Sequence, residues 1–135
     1  MTIENWGTGA PDYYKPVIAS QPQVLSNQMK WSQSTNYIVD AISASINDFY
    51  TVISEYNLEL SLGFISCKDS CINKLRIVAD NEELIGDFRF DMQGSFNFGA
   101  GRVVNSGSTI AVYIYNNDTL TSSFSLTLVG VLMRT

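Results

Sequence analysis

The sequence predicts an all-β fold, an antiparallel β-sandwich or barrel of about eight strands preceded by an extended N-terminal arm. Three observations predict it. From Leu58 onward, apolar and polar residues alternate in runs of strand length. Clusters of Asn, Asp, Gly and Ser break those runs at the spacing of about 8–12 residues expected between the strands of a sandwich. All three prolines, Pro11, Pro16 and Pro22, fall in the first 22 residues, where neither a period of 2 nor one of 3.6 holds. The 135 residues fit one domain, read as an arm over 1–35 and a head over 36–135.

The arm is too apolar for a solvated linker. It carries Trp6, Tyr13, Tyr14, Val17, Ile18 and Trp31, and an extended segment with such side chains should lie on something. Its own domain, a neighbouring subunit and a larger assembly are all candidate supports. These six residues are the candidate assembly arm.

Residues 37–56 fit two patterns. Ile38, Ile42, Ile46, Phe49 and Ile53 are spaced for one helical face, while Ile38, Ile42, Ala44 and Ile46 also fit strand alternation. The β-branched content and the turn-forming pair Asn47-Asp48 favour two strands, 37–46 and 49–55. Next, Leu58, Leu60, Leu62 and Phe64 alternate with Glu59, Ser61 and Gly63, and Leu75, Ile77 and Ala79 share one face of the following strand. Asp80-Asn-Glu-Glu83 supplies a turn. Phe88, Phe90, Phe96 and Phe98 follow around a bend at Gln93-Gly94. After a turn at Asn105-Ser-Gly-Ser108, Ile110, Val112 and Ile114 take one face and Ala111, Tyr113 and Tyr115 the other. Asn116-Asn117-Asp118 turns the chain into a last strand of Phe124, Leu126, Leu128 and Leu132.

Composition excludes several functions. There is no histidine, which removes the usual general base at neutral pH, the commonest metal ligand and every His-based triad. Asp87 and Asp91, four apart on a strand, lie about 13 Å from each other, too far for a glycosidase pair. No calcium loop or phosphate-binding glycine loop occurs. The chain therefore reads as non-enzymatic, with no cofactor and no metal. Its 13 acidic and 8 basic residues give a net charge of −5, which argues against nucleic acid. No run of about 20 apolar residues could span a bilayer. The start, Met1-Thr-Ile-Glu-Asn-Trp6, does not resemble a signal peptide, so synthesis in a cytoplasm is expected. On that expectation Asn117-Asp-Thr119 is a chance match to a glycosylation acceptor.

Cys67 and Cys71 flank Lys68-Asp-Ser70. A zinc site would need ligands the sequence lacks. A disulfide at a hairpin tip is one reading; two unpaired thiols is the other, favoured by a reducing compartment.

Only 16% of residues are charged, and Ser, Thr and Asn together number 36. Between Val103 and Met133 the one charge is Asp118. An outer face of Tyr, Ser and Thr almost without charge reads as a covered surface, since interface centres are depleted in charge and enriched in aromatics. Tyr113, Tyr115, Phe124, Leu126 and Val131 are the candidate oligomer-interface residues, against the alternative of an exposed Ser/Thr-rich face.

The stretch Val103-Val-Asn-Ser-Gly-Ser-Thr-Ile-Ala-Val-Tyr-Ile-Tyr-Asn-Asn117, followed by Ser122-Ser-Phe-Ser-Leu-Thr-Leu-Val-Gly-Val-Leu132, resembles the closing hairpin of compact jelly-roll modules. Similar patterns occur in complement-type and tumour-necrosis-factor-like trimer heads, and in small tailed-phage virion proteins that decorate capsids or form fibre heads and baseplate parts. The resemblance covers about residues 57–133. It implies a jelly-roll head, a homotrimer, and a place in a virion assembled in the host cytoplasm, with a capsid or other virion protein as partner. Low Lys and the Asn/Ser-rich composition look more like the phage proteins than a secreted cytokine. No collagen-like stalk, heptad repeat or shaft precedes the head, which favours a decoration or cement subunit held by its arm. A receptor-binding or carbohydrate-binding head, with a host-surface glycan as ligand, is the alternative.

Overall fold

The computed structural model describes residues 27–135. Among the described residues the chain forms nine strands and no helix. They are β1 (Gln28–Val39), β2 (Ser43–Thr51), β3 (Tyr56–Cys67), β4 (Ile72–Ala79), β5 (Glu82–Asp91), β6 (Gln93–Asn97), β7 (Val103–Val104), β8 (Thr109–Asn116) and β9 (Ser122–Arg134). Every pairing is antiparallel. One layer runs β1-β9-β3-β6, with the short β7 on β3; the other runs β5-β4-β8-β2. The chain crosses between layers at β1–β2, β2–β3, β3–β4, β5–β6, β7–β8 and β8–β9, the connectivity of a jelly-roll sandwich.

Alternation places the core. Along β8, Ile110, Val112 and Ile114 point inward; along β9, Phe124, Leu126 and Leu128 do the same, all without exposure. They meet Leu58, Leu60 and Ile65 of β3 and Leu75 and Ile77 of β4. Aromatic rings fill the centre and one end: Phe90 meets Phe124 edge-on at 6.1 Å, and Phe96 lies 5.0 Å from Phe88 and 5.7 Å from Phe98. Edge contacts of this kind suit the ring quadrupole. Asp80 and Asn81, both at positive φ, form the two-residue β4–β5 turn, as their residue types favour.

Three boundaries differ from the sequence reading. First, β1 starts at Gln28, so residues 28–35 belong to the sheet rather than to an arm ending at 35. Gln28 pairs with Met133 and Thr35 with Leu126 along an unbroken ladder. Trp31 points inward from β1 and lies 4.9 Å from Tyr50, so it is a core residue and not part of an arm. The remaining arm candidates, Trp6, Tyr13, Tyr14, Val17 and Ile18, lie outside the described residues.

Second, the two strands expected over 37–46 and 49–55 are not those observed. The first range spans the end of β1, a turn at 40–42 and the start of β2, and the second overlaps only the last three residues of β2. The turn therefore lies at 40–42 rather than at Asn47-Asp48. Asn47 and Asp48 lie within β2, and a bulge falls between Asp48 and Tyr50. The isoleucines that suggested a buried face, Ile38, Ile42 and Ile46, are all exposed. The inward residues of β1 are Trp31, Gln33, Thr35, Tyr37 and Val39, and polar Gln33 and Thr35 hide the strand period from the sequence.

Third, the pattern Leu58, Leu60, Leu62, Phe64 does not stay on one face. A β-bulge between Leu60 and Leu62 shifts the register by one residue. A one-residue shift exchanges the faces of everything beyond it. Gly63 and Ile65 therefore face the core, and Leu62 and Phe64 face out. Glycine is required at 63: a Cβ there would strike the Phe96 ring. Ser61, the extra residue, donates its Oγ–H to the Val129 carbonyl at 3.0 Å.

Candidate functional site

The two layers present outer faces of opposite chemistry. On the β1-β9-β3-β6 layer, the register sets outward residues side by side in rows. One row is Asn36, Ser125, Ser66 and Gln93; the next is Ser34, Thr127, Phe64 and Ser95; the third is Ser32, Val129, Leu62 and Asn97. None of these twelve residues is charged. Charge enters only in the fourth row, with Lys30 and Glu59 beside Val131 and Val103.

Several hydroxyls on this face already have partners across the strands. Ser34 Oγ and Thr127 Oγ1 are 2.7 Å apart, and Ser125 donates to Asn36 Oδ1 at 2.7 Å. A polar group paired within the face loses less when the face is covered, because its hydrogen bond survives the loss of water. Among them stand two large apolar side chains, Leu62 at 44% and Phe64 at 46% exposure. An open groove of about 600 Å³ runs beside Phe64, lined by Ser66, Gln93, Ser95, Ser125 and Thr127.

The β5-β4-β8-β2 layer is laced with charge. Tyr113 and Tyr115 of β8 stand opposite Arg76 and Lys74 of β4. The Arg76 guanidinium lies 4.9 Å from the Tyr113 ring centre and the Lys74 ammonium 5.3 Å from that of Tyr115, both within cation–π range. Arg76 also bonds Glu83 at 2.5 Å, and Asp87 sits between Lys74 and Arg89 at 3.6 and 3.9 Å. The hydrogen bond to Glu83 raises the Arg76 pKa above its ordinary value.

The five residues expected at an oligomer interface are therefore not brought together. Phe124 and Leu126 are fully buried inside the one chain and have no surface to offer a partner. Tyr113 and Tyr115 lie on the charged face, and Val131 lies at the charged end of the other. Neither β8 nor β9 carries a charge before Arg134, but β4 sets Lys74 and Arg76 beside β8, whereas β1, β3 and β6 bring no charge to β9 before the row of Lys30 and Glu59. Leu62, Phe64 and their polar neighbours were missed because their exposure depends on the bulge. One signal pointed to it: Gly63 inside a strand pattern marks bulges and close approaches.

Cys67 and Cys71 are both free thiols, so the hairpin-tip disulfide is not formed. Burial pushes the Cys67 thiol above its ordinary pKa, although the Met92 backbone and Asn73 amide act in the opposite direction. Burial, with Asp118 and Asp91, raises Cys71 too. At neutral pH both carry protons, the poor state for a nucleophile. Among the described residues no group of three or more His, Cys, Asp or Glu side chains could hold a metal, and no helix is long and apolar enough to cross a membrane. In comparison with known proteins, no family model matches the chain, and no curated protein matches it either.

Proposed function

We propose that this chain is a non-enzymatic structural subunit of a phage virion, a homotrimeric jelly roll that decorates or cements a capsid, with residues 1–26 as its anchor. The observation that supports it is the uncharged outer face of β1-β9-β3-β6, with its paired hydroxyls and exposed Leu62 and Phe64. Such a face suits a neighbouring copy. Fully burying a Leu or Phe is worth roughly 1.5–3 kcal/mol, so completing the burial of these two half-exposed side chains adds about 1 kcal/mol each. Association costs at least about 4 kcal/mol in lost freedom. The face alone therefore gives weak association, and the apolar side chains of residues 1–26 supply the remainder in this reading.

Light scattering on the full chain tests it directly. A trimer mass that falls to a monomer mass in Leu62→Lys and Phe64→Lys supports the proposal; a wild-type monomer at all concentrations removes it. Deleting residues 1–26 should abolish occupancy on particles while the jelly roll stays folded.

The groove beside Phe64 favours a second reading, a head that binds neutral carbohydrate. An exposed ring flanked by hydroxyls and the Gln93 amide offers stacking and hydrogen bonds to an uncharged sugar. Saturable glycan binding by the full chain, lost in Phe64→Ala, would select this reading over the first.

A further inference from the structure

The connections β1–β2, β3–β4, β5–β6 and β8–β9 all emerge at one end of the sandwich, and hydrogen bonds bind them into a single unit. Asn116, buried at the end of β8, donates its amide N–H groups to the carbonyls of Val39, Asp40 and Leu120 at 3.1, 3.2 and 3.0 Å. Its Oδ1 accepts from the Asp118 amide at 2.9 Å, and the Asp118 carbonyl accepts from the Ile42 amide at 3.0 Å. Asn117 reaches the third connection, donating to the Ile72 carbonyl at 3.0 Å, while its own amide bonds Asn73 Oδ1 at 2.9 Å. Asp91 Oδ1 accepts from Ser70 Oγ and the Cys71 amide, both at 3.0 Å, and the Cys67 amide bonds the Met92 carbonyl at 2.6 Å. The four connections are thus held in place by side chains of the core strands.

What they hold out is apolar. Ile42 is 64% exposed and Leu120 62%, and Ile72 at the start of β4 and Met92 between β5 and β6, at the same end, are exposed too. Ile42 and Met92 also sit at positive φ, 46° and 64°. A β-branched residue is an outlier in that region, where Gly or Asn sits without penalty. Isoleucine at 42 is therefore unfavourable twice over, in its backbone and in its hydration. Such features persist where they serve a contact.

The rim identifies the occupant. Asp40, Asp69 and Asp118 lie on these connections and Asp91 ends β5 beside them, with Lys68 as the one cation on the connections. A second copy of the same end, or an anionic bilayer, would bring like charges together. We infer that this end of the sandwich is a docking site for a partner protein segment whose apolar side chains are flanked by Lys or Arg. Met92 adjoins Gln93 of the uncharged sheet face, but Ile42 and Leu120 lie on the β1–β2 and β8–β9 connections, and the inference does not depend on the oligomer reading.

The test uses the full chain and a fluorescent synthetic peptide of alternating Leu and Lys, with a Ser/Lys peptide of equal charge as control, read by anisotropy. The Leu/Lys peptide should bind at least tenfold more tightly than the Ser/Lys peptide. Ile42→Asn with Leu120→Ser should erase that difference, although Ile42→Asn raises the thermal midpoint by relieving the backbone. Leu120→Ser alone, at a residue without positive φ, should weaken binding in the same direction. Leu62→Lys, on the sheet face, should leave peptide binding intact even if it dissociates an oligomer. Equal affinity for both peptides, unchanged binding in the variants, or preferential binding to phosphatidylserine vesicles through Ile42 and Leu120 would overturn the inference.

Discussion

The outer faces of the two layers carry similar strands and opposite surfaces. β8 and β9 both alternate core aliphatics with outward Ala, Tyr, Ser and Thr, and neither carries a charge between Val103 and Met133 apart from Asp118 in the loop joining them. On β9 that neutrality extends across three neighbouring strands and becomes a face. On β8 it stops at the next strand, where Lys74 and Arg76 cover the two tyrosines and draw in Glu83 and Asp87. A surface is thus a property of neighbours: the same one-dimensional signal means a covered face in one layer and a solvated, ion-paired one in the other.

That contrast can be broken from the inside first. Leu126 sits behind the neutral face, not on it, so Leu126→Ala should cost about 2–5 kcal/mol in chemical denaturation, independent of protein concentration. A small, concentration-dependent effect would return Leu126 to an interface. Gly63→Ala should cost about 1–3 kcal/mol, because the added methyl drives the Phe96 ring out of place or reverses the bulge that exposes Leu62 and Phe64. Leu62→Lys and Phe64→Lys, placed on the neutral face, should change the folding stability of the subunit by no more than about 0.5 kcal/mol, yet reduce the mass measured by light scattering.

The charged face should behave differently. Tyr115→Ser should leave the mass unchanged and lose only the exposed cation–π contact with Lys74, about 0.5–1 kcal/mol. The smallest effect belongs to Cys67. Its pKa is raised in the folded state by burial, so its contribution to stability is complete below the ordinary thiol pKa and is lost as pH rises through the elevated one. Denaturation curves collected across that alkaline range should show this loss, and Cys67→Ser should flatten it.

Much of the jelly roll was legible in the chain. Strands β4, β8 and β9 follow from strict alternation, and the turns at Asp80-Asn81 and Asn105–Ser108 follow from residues that accept positive φ or cap a bend; the Ser108 amide bonds the Asn105 carbonyl at 3.0 Å. β1 was hidden because its inward side includes Gln33 and Thr35, and β2 because its prominent isoleucine, Ile46, points to solvent. The neutral face was half legible. Its β9 component could be found from missing charge, but Leu62 and Phe64 could not, because the period of β3 as written places them in the core.

The sequence by itself determined the fold class, the inward residues of the closing strands and the lack of imidazole chemistry, because alternation and composition are local and survive any arrangement of layers. The tertiary structure decided which neutral residues share a face and which connections meet at one end. Those outcomes depend on strand order and on a single-residue bulge. A change of one position in register exchanges inside for outside, and no local pattern records which strand will lie alongside.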